Sequence, residues 1–146
     1  MIQQSEVPVL AIPRQASFND FEQILFATEY QDGDLTALKH VAELAGLFNS
    51  NIRVIHASEE AGLKADASFR GFKQLVDETI PYKNMDFYHA TAISLFEVVA
   101  DQVELHNISL LVMMRYQKPF SIFRRKQTKE MSFYTEVPLL VLPVNN

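Results

Sequence analysis

The chain of 146 residues contains no cysteine and only four glycines. The absence of cysteine excludes disulfide bonds, thiolate metal sites and a cysteine nucleophile, and it favours a cytoplasmic location over an oxidising compartment. Long apolar runs are missing as well: the longest have about seven residues, whereas a membrane-spanning helix needs about 20. The N-terminus lacks the basic start and apolar run of a secretory signal, so we expect neither targeting nor a membrane partner.

The few glycines form no Gly-x-Gly-x-x-Gly or Walker sequence, which excludes the usual dinucleotide-binding and P-loop sites. No serine stands in a nucleophile-elbow pattern, so no nucleophile and base can be nominated. We therefore expect a protein that is not an enzyme. Its length and its 48% hydrophobic content are enough for one domain with a substantial core.

Positive charge is concentrated in one segment, the basic loop 115–129. It has no carboxylate and carries +6, whereas the whole chain carries −5. A solvated loop is the simpler interpretation, and an anion-binding loop is the alternative. Nucleic acid is not an expected partner, because the protein is acidic overall. The six cations are Arg115, Lys118, Arg124, Arg125, Lys126 and Lys129.

Apolar patterning predicts alternating strands and helices. Such alternation indicates a parallel sheet with helices on both faces, a three-layer α/β fold. The runs at 24–27 and 110–114 are continuously apolar, as is typical of strands that are buried on both faces. The predicted strands are 7–12, 24–27, 52–57, 86–90, 109–114 and 137–142. The predicted helices are 35–48 after an N-cap within 32–34, 62–80, 94–106 after a capping box at 94–97, and a short one at 128–134.

The two ends of the chain resemble each other. Residues 6–13 and 136–143 are identical at five of eight positions, and both segments are bounded by prolines. Two proline-bounded edge strands can look alike by accident. The alternative predicts that 1–15 is the terminal strand of a preceding similar domain, that 16–21 is a linker and that 22–146 is one complete domain. The predicted pairing edge consists of Val7, Val9, Leu10, Ile12, Val137, Leu139, Leu140 and Val141.

Five segments together resemble the universal stress protein family: 23–29, 37–45, 54–57, 110–113 and 137–142. The resemblance covers about residues 22–144, and the final Val-Pro-x-Leu-Val-Leu is its most recognisable part. It implies a Rossmann-like fold, similar to the adenine nucleotide alpha hydrolases, with five parallel strands in the order 3-2-1-4-5. It also implies antiparallel pairing of terminal strands, either in a homodimer or within one chain. The N-terminal strand is then expected to add to the edge at 137–142.

The same resemblance raises the question of ATP. Members of the family that bind ATP carry Gly-x2-Gly-x9-Gly-Ser/Thr after the fourth strand, but here Met114, Gln117 and Gln127 fall at the glycine positions. Glu29 replaces the first-strand aspartate. We therefore expect no cofactor, a degenerate nucleotide site and a stress-response role through dimerisation or partner binding. The alternative is ATP or another anion at the basic loop. The candidate nucleotide-binding residues are Thr28, Glu29, Ile55, Met114, Arg115, Gln117, Arg124, Arg125, Gln127 and Thr128.

Two of the four histidines, His56 and His89, end the second and third predicted parallel strands, at the edge where open α/β sheets bind ligands. With Glu29 they form an alternative candidate for a metal or acid/base cluster, although no two of them have ligand spacing in sequence. We expect no metal. His40 and His106 are predicted to be surface residues of helices.

Overall fold

The computed structural model describes residues 7–14, 16, 21–92, 95–115 and 137–143. Within these ranges the chain forms six strands and three helices. In chain order they are β1 (Val9–Ala11), β2 (Gln23–Ala27), α1 (Asp32–Phe48), β3 (Asn51–Ser58), α2 (Leu63–Thr79), β4 (Met85–Thr91), α3 (Leu95–His106), β5 (Leu110–Arg115) and β6 (Leu139–Pro143). The capping residue Ser94, the helix predicted at 128–134 and the basic loop beyond Arg115 lie outside the described residues.

All six strands form one sheet in the order β1-β6-β5-β2-β3-β4. The pairs from β6 to β4 are parallel, and β1 is antiparallel to β6. Counted from β2 as the first parallel strand, the order is 3-2-1-4-5 with an added edge strand. The predicted fold class is therefore confirmed.

The core lies on both faces of the sheet. One cluster contains the buried side chains of α1 and α2 with Phe26 and Val112, and the other contains those of α3 with Leu25 and Leu111. Residues 24–27 of β2 expose no surface at all, as their unbroken apolar sequence predicts. The described helices include none that is both long and apolar enough to cross a membrane.

The terminal strands pair as the sequence predicts, with β1 added antiparallel to the edge at β6. Val9 lies opposite Val141, and Leu10 lies opposite Leu140. Ala11 packs on the same cluster as Val141, whereas Leu10 is 48% exposed. Alternation along β1 thus directs one set of side chains into the core beside α3 and leaves the other set in solvent.

The start of α1 differs from the prediction. The helix begins at Asp32, with Gln31 as its N-cap residue, whereas the sequence suggested an N-cap within 32–34. Asp34 therefore lies inside the first turn, and its side chain is completely buried. The second helix begins one residue after the predicted start, because Gly62 is the N-cap residue with a φ of 107°, a conformation that favours glycine.

Candidate functional site

The candidate site lies at the carboxyl ends of β2, β3 and β4. Residues 28–31, which we call the β2–α1 loop, join the sheet to the first helix at this edge. Open α/β folds place their ligand sites here, because loops from neighbouring parallel strands converge at one side of the sheet. The shape of this loop therefore decides what the edge can bind.

One buried carboxylate organises the β2–α1 loop. Oδ2 of Asp34 accepts hydrogen bonds from the hydroxyl of Thr28 at 2.6 Å, from the amide of Glu29 at 2.8 Å and from the amide of Gln31 at 3.2 Å. The second oxygen, Oδ1, is buried without a hydrogen-bond partner. Burial raises the pKa of this carboxyl, and the hydrogen bonds that it accepts only partly oppose that shift.

The loop turns the ring of Tyr30 inwards. Tyr30 has a left-handed backbone with a φ of 59°, which is uncommon for a residue other than glycine. Its ring centroid lies 4.1 Å from that of His56 and 5.2 Å from that of Phe72. Its hydroxyl and Nδ1 of His89 share a hydrogen bond of 3.0 Å. Burial raises the pKa of the Tyr30 hydroxyl, so this group stays protonated and is no base.

The two histidines are held differently. Nδ1 of His56 lies 2.6 Å from the carbonyl oxygen of Thr28, and this nitrogen carries the proton, because a carbonyl can only accept. Burial lowers the pKa of His56, and the nearby His89 lowers it further, against the effect of the Thr28 bond. The His89 ring is 5.3 Å from the His56 ring, and Nε2 of His89 is buried without a hydrogen-bond partner. Both imidazoles thus serve mainly to hold the loop.

A cleft of about 240 Å³ remains above this cluster. That is below the roughly 300–1,000 Å³ of most small-molecule sites. Its described lining includes two carboxylates and no lysine or arginine. These residues therefore do not fit the negatively charged phosphates of a nucleoside triphosphate. The lining residues are Glu29, Tyr30, Gln31, His56, Ser58, Glu60, Ala65, Ser68 and His89.

Two larger depressions lie elsewhere on the described surface. One of about 580 Å³ is lined mainly by the end of α1 and the segment after α2. The other, of about 590 Å³, lies at the amino ends of β2 and β3, opposite the edge that open α/β sheets use for ligands. Neither contains a histidine or a side chain that is buried without a partner.

Comparison with known proteins gave a result only at the level of structure: no family model and no curated protein matches the sequence. A universal stress protein from Archaeoglobus fulgidus is similar over 99% of this chain and 52% of its own, at 17% identity and a TM-score of 0.72. A universal stress protein in complex with cAMP matches 87% of this chain and 100% of its own, at 10% identity and a TM-score of 0.69. The chain has the universal stress protein fold.

A third structure supports this assignment. The universal stress protein UspA from Lactobacillus plantarum is similar over 88% of this chain and 100% of its own, at 15% identity and a TM-score of 0.62. The present chain thus spans about half the length of the Archaeoglobus fulgidus protein and the full length of the other two. At these identities the comparisons establish the fold and no activity.

Within the universal stress protein fold, the predicted nucleotide residues fall into three groups. Thr28 and Glu29 lie in the β2–α1 loop, and Arg115 ends β5 beside it. Ile55 and Met114 are core side chains with at most 2% exposure, and the Ile55 carbonyl accepts the amide of Thr28. The remaining candidates, Gln117, Arg124, Arg125, Gln127 and Thr128, lie outside the described residues, so their role stays a prediction.

The sequence reasoning missed Tyr30 and Asp34. Asp34 carried a usable signal, because a carboxylate in the first turn of a helix commonly accepts backbone amides. The position of Tyr30 follows from its left-handed backbone, which its residue type does not predict. The alternative metal cluster of Glu29, His56 and His89 has no geometric support, since no group of three such ligands in the described part of the chain could hold an ion.

Proposed function

We propose that this domain acts in stress responses without catalysis, by pairing with a second domain of the same fold, and that its nucleotide site is degenerate. The observation that carries the proposal is the antiparallel pairing of β1 with β6. In this sheet the edge beyond β6 is the one at which a second domain of the fold would add its terminal strand. Here a strand whose sequence repeats that of β6 already takes this place.

The exposed side chains of the β1 segment support the pairing. Val7, Leu10 and Ile12 expose 64%, 48% and 66% of their surfaces. Three exposed apolar residues so close together at a sheet edge are unusual, because exposed edges normally carry charged side chains, and residues 7–13 have none. The Archaeoglobus fulgidus protein, of which the chain matches about half, has the length that two such domains would need. The partner that we propose is a second copy of this chain, bound through the exposed side chains of the β1 segment.

The cleft supports the second half of the proposal. Tyr30 fills the space beside His56, and the described cleft offers carboxylates where phosphates would need cations or backbone amides. The chain also lacks the three glycines of ATP-binding members. These features favour a site that has lost its ligand over one that retains it.

Pairing predicts concentration-dependent dimers that depend on β1. Replacing Leu10 and Ile12 together by Asp should weaken dimerisation at least about tenfold, because each apolar side chain buried in an interface contributes about 1.5–3 kcal/mol. Sedimentation equilibrium measures this constant. The matched control is Leu75→Asp, on an α2 residue that is 50% exposed, and it should leave the constant unchanged. A wild-type chain that stays monomeric at the highest attainable concentration would contradict the proposal.

Degeneracy predicts that calorimetric titration with ATP, with and without magnesium, gives no binding tighter than millimolar. Micromolar affinity would overturn this half of the proposal. Two variants then identify the source: Glu29→Gln changes the cleft, and the pair Arg124→Ala with Arg125→Ala changes the basic loop. Loss of affinity in the arginine variant alone would establish the loop as an anion site.

That second candidate, anion binding at the basic loop, has one structural observation in its favour. Nε of Arg115, at the end of β5, is buried without a hydrogen-bond partner. A buried guanidinium nitrogen of this kind normally bonds an acceptor, and a phosphate oxygen would provide one. The loop would then recognise ATP or another anion by charge and not through glycine amides.

A further inference from the structure

The Tyr30 ring is held in its partly buried position by separable contacts. Its ring lies between those of His56 and Phe72, and its hydroxyl bonds to His89. The backbone beneath it is left-handed, a conformation that costs a residue other than glycine about 1–3 kcal/mol. The contacts must therefore outweigh a local preference for a different loop shape.

We propose that Tyr30 is an acid-sensitive latch, in which protonation of His56 releases the β2–α1 loop and opens the cleft between this loop and α2. At neutral pH the His56 imidazole is neutral and the latch is closed. On acidification this ring carries charge, and the loop swings outward with Tyr30. The edge of the sheet then exposes both histidines to solvent.

The packing explains why protonation opposes the closed state. The centroid of the His56 ring lies 4.1 Å from that of Tyr30 and 5.3 Å from that of His89. These two rings partly shield His56 from water, and a charged imidazolium costs more to bury than a neutral imidazole. Opening the loop removes this cost, because water reaches the ring.

Charged groups on the neighbouring elements also act on a protonated His56. Glu29 on the loop and Glu60 before α2 line the same cleft and attract imidazolium. Asp34 on α1 bonds to the loop backbone and not to a ring. On α2, Lys73 lies over Phe87 of β4 at 5.8 Å and does not line the cleft. Burial lowers the pKa of His56 from 6.5, against the effect of its hydrogen bond to Thr28.

The direction of the pH dependence follows from this shift. The open loop leaves His56 with its ordinary pKa of 6.5, so the open state binds the proton more tightly than the closed one. The stability of the latch is therefore fully present above pH 6.5. It is lost as the pH falls below that value towards the pKa of the closed state.

Amide hydrogen exchange of Glu29, Tyr30 and Gln31 tests the latch. After correction for intrinsic rates, we expect their protection to fall about tenfold between about pH 7.5 and about pH 5, the range in which histidine titrates. The amides of β5 provide an internal reference and should stay protected. Unchanged loop protection in the wild type would overturn the proposal, and so would an equal loss in β5, which would mean global unfolding.

Variants separate the effect of the histidines from that of the neighbouring carboxyl groups. His56→Gln with His89→Gln keeps amide groups at both positions but cannot gain charge, so its loop protection should not change with pH. His106→Gln, at the exposed end of α3, should behave like the wild type. A tenfold loss that persists in the double variant would show that the histidines do not cause the effect and would refute the latch. Tyr30→Phe, which removes only the hydroxyl, should lower loop protection already at neutral pH.

Discussion

Replacement of Asp34 by Ala should lower the free energy of unfolding by about 3 kcal/mol, because it leaves buried donors without an acceptor. One carboxylate oxygen satisfies the hydroxyl of Thr28 and the amides of Glu29 and Gln31, and nothing else in the described chain replaces it. Urea unfolding followed by circular dichroism measures the loss. The control is Asp32→Ala, on an exposed neighbour in the same helical turn, which should change stability by no more than about 0.5 kcal/mol.

Asp34→Asn should cost much less than the alanine change. The amide oxygen can accept the same three bonds, while the NH2 group takes the place of Oδ1, which bonds nothing. Burial raises the pKa of Asp34, so the ionised form is disfavoured in the folded state. The contribution of Asp34 to stability is therefore present at low pH, where the carboxyl is protonated. It declines as the pH rises from 3.8 through the raised pKa. The asparagine variant should lack this decline. An equal loss in both variants would contradict the assigned role.

Val9→Asp should release β1 from the sheet. The side chain at this position faces Val141, which is 2% exposed in the cluster beneath α3. A carboxylate there loses apolar burial and must be desolvated, which together cost about 2 kcal/mol. The β6 amides that bond to β1 should then exchange about 30-fold faster, since each 1.4 kcal/mol is a factor of ten.

The matched control for this change is the next residue. Leu10→Asp lies on the opposite side of the same strand, where the side chain is 48% exposed, and it should leave the β6 amides protected. Hydrogen exchange measured by NMR distinguishes the two. Equal protection in both variants would mean that β1 is held by something other than its contact with β6.

The sheet was predictable because its strands carry strong local signals. The unbroken apolar sequence of β2 and β5 indicated burial on both faces, and the structure leaves residues 24–27 without exposed surface. The position of β1 was predictable for a different reason: its sequence repeats that of β6, so an edge strand beside its copy was a specific hypothesis. The register of Val9 with Val141 confirms it.

The site was predictable only in part. His56 and His89 were expected at the carboxyl edge, because strand ends converge there, and they do lie together. The ring between His56 and Phe72 could not be foreseen, since it depends on the backbone conformation of Tyr30 and on a carboxylate four residues later. Asp34 was interpreted as part of a helix cap. It does belong to the capping box of α1, as the residue whose side chain accepts the Gln31 amide, and the same side chain also organises the loop. Such effects arise from tertiary burial, which local sequence rules do not predict.

The β1–β6 pairing also has a consequence for biosynthesis. The two strands are separated by roughly 130 residues, and contacts at such a separation form late because closing the intervening chain costs entropy. On the ribosome β1 emerges well before its partner, with Val7, Leu10 and Ile12 unprotected in the meantime. Until β6 has been translated, the nascent chain therefore exposes an aggregation-prone apolar segment to chaperones and to other nascent chains on the same messenger RNA.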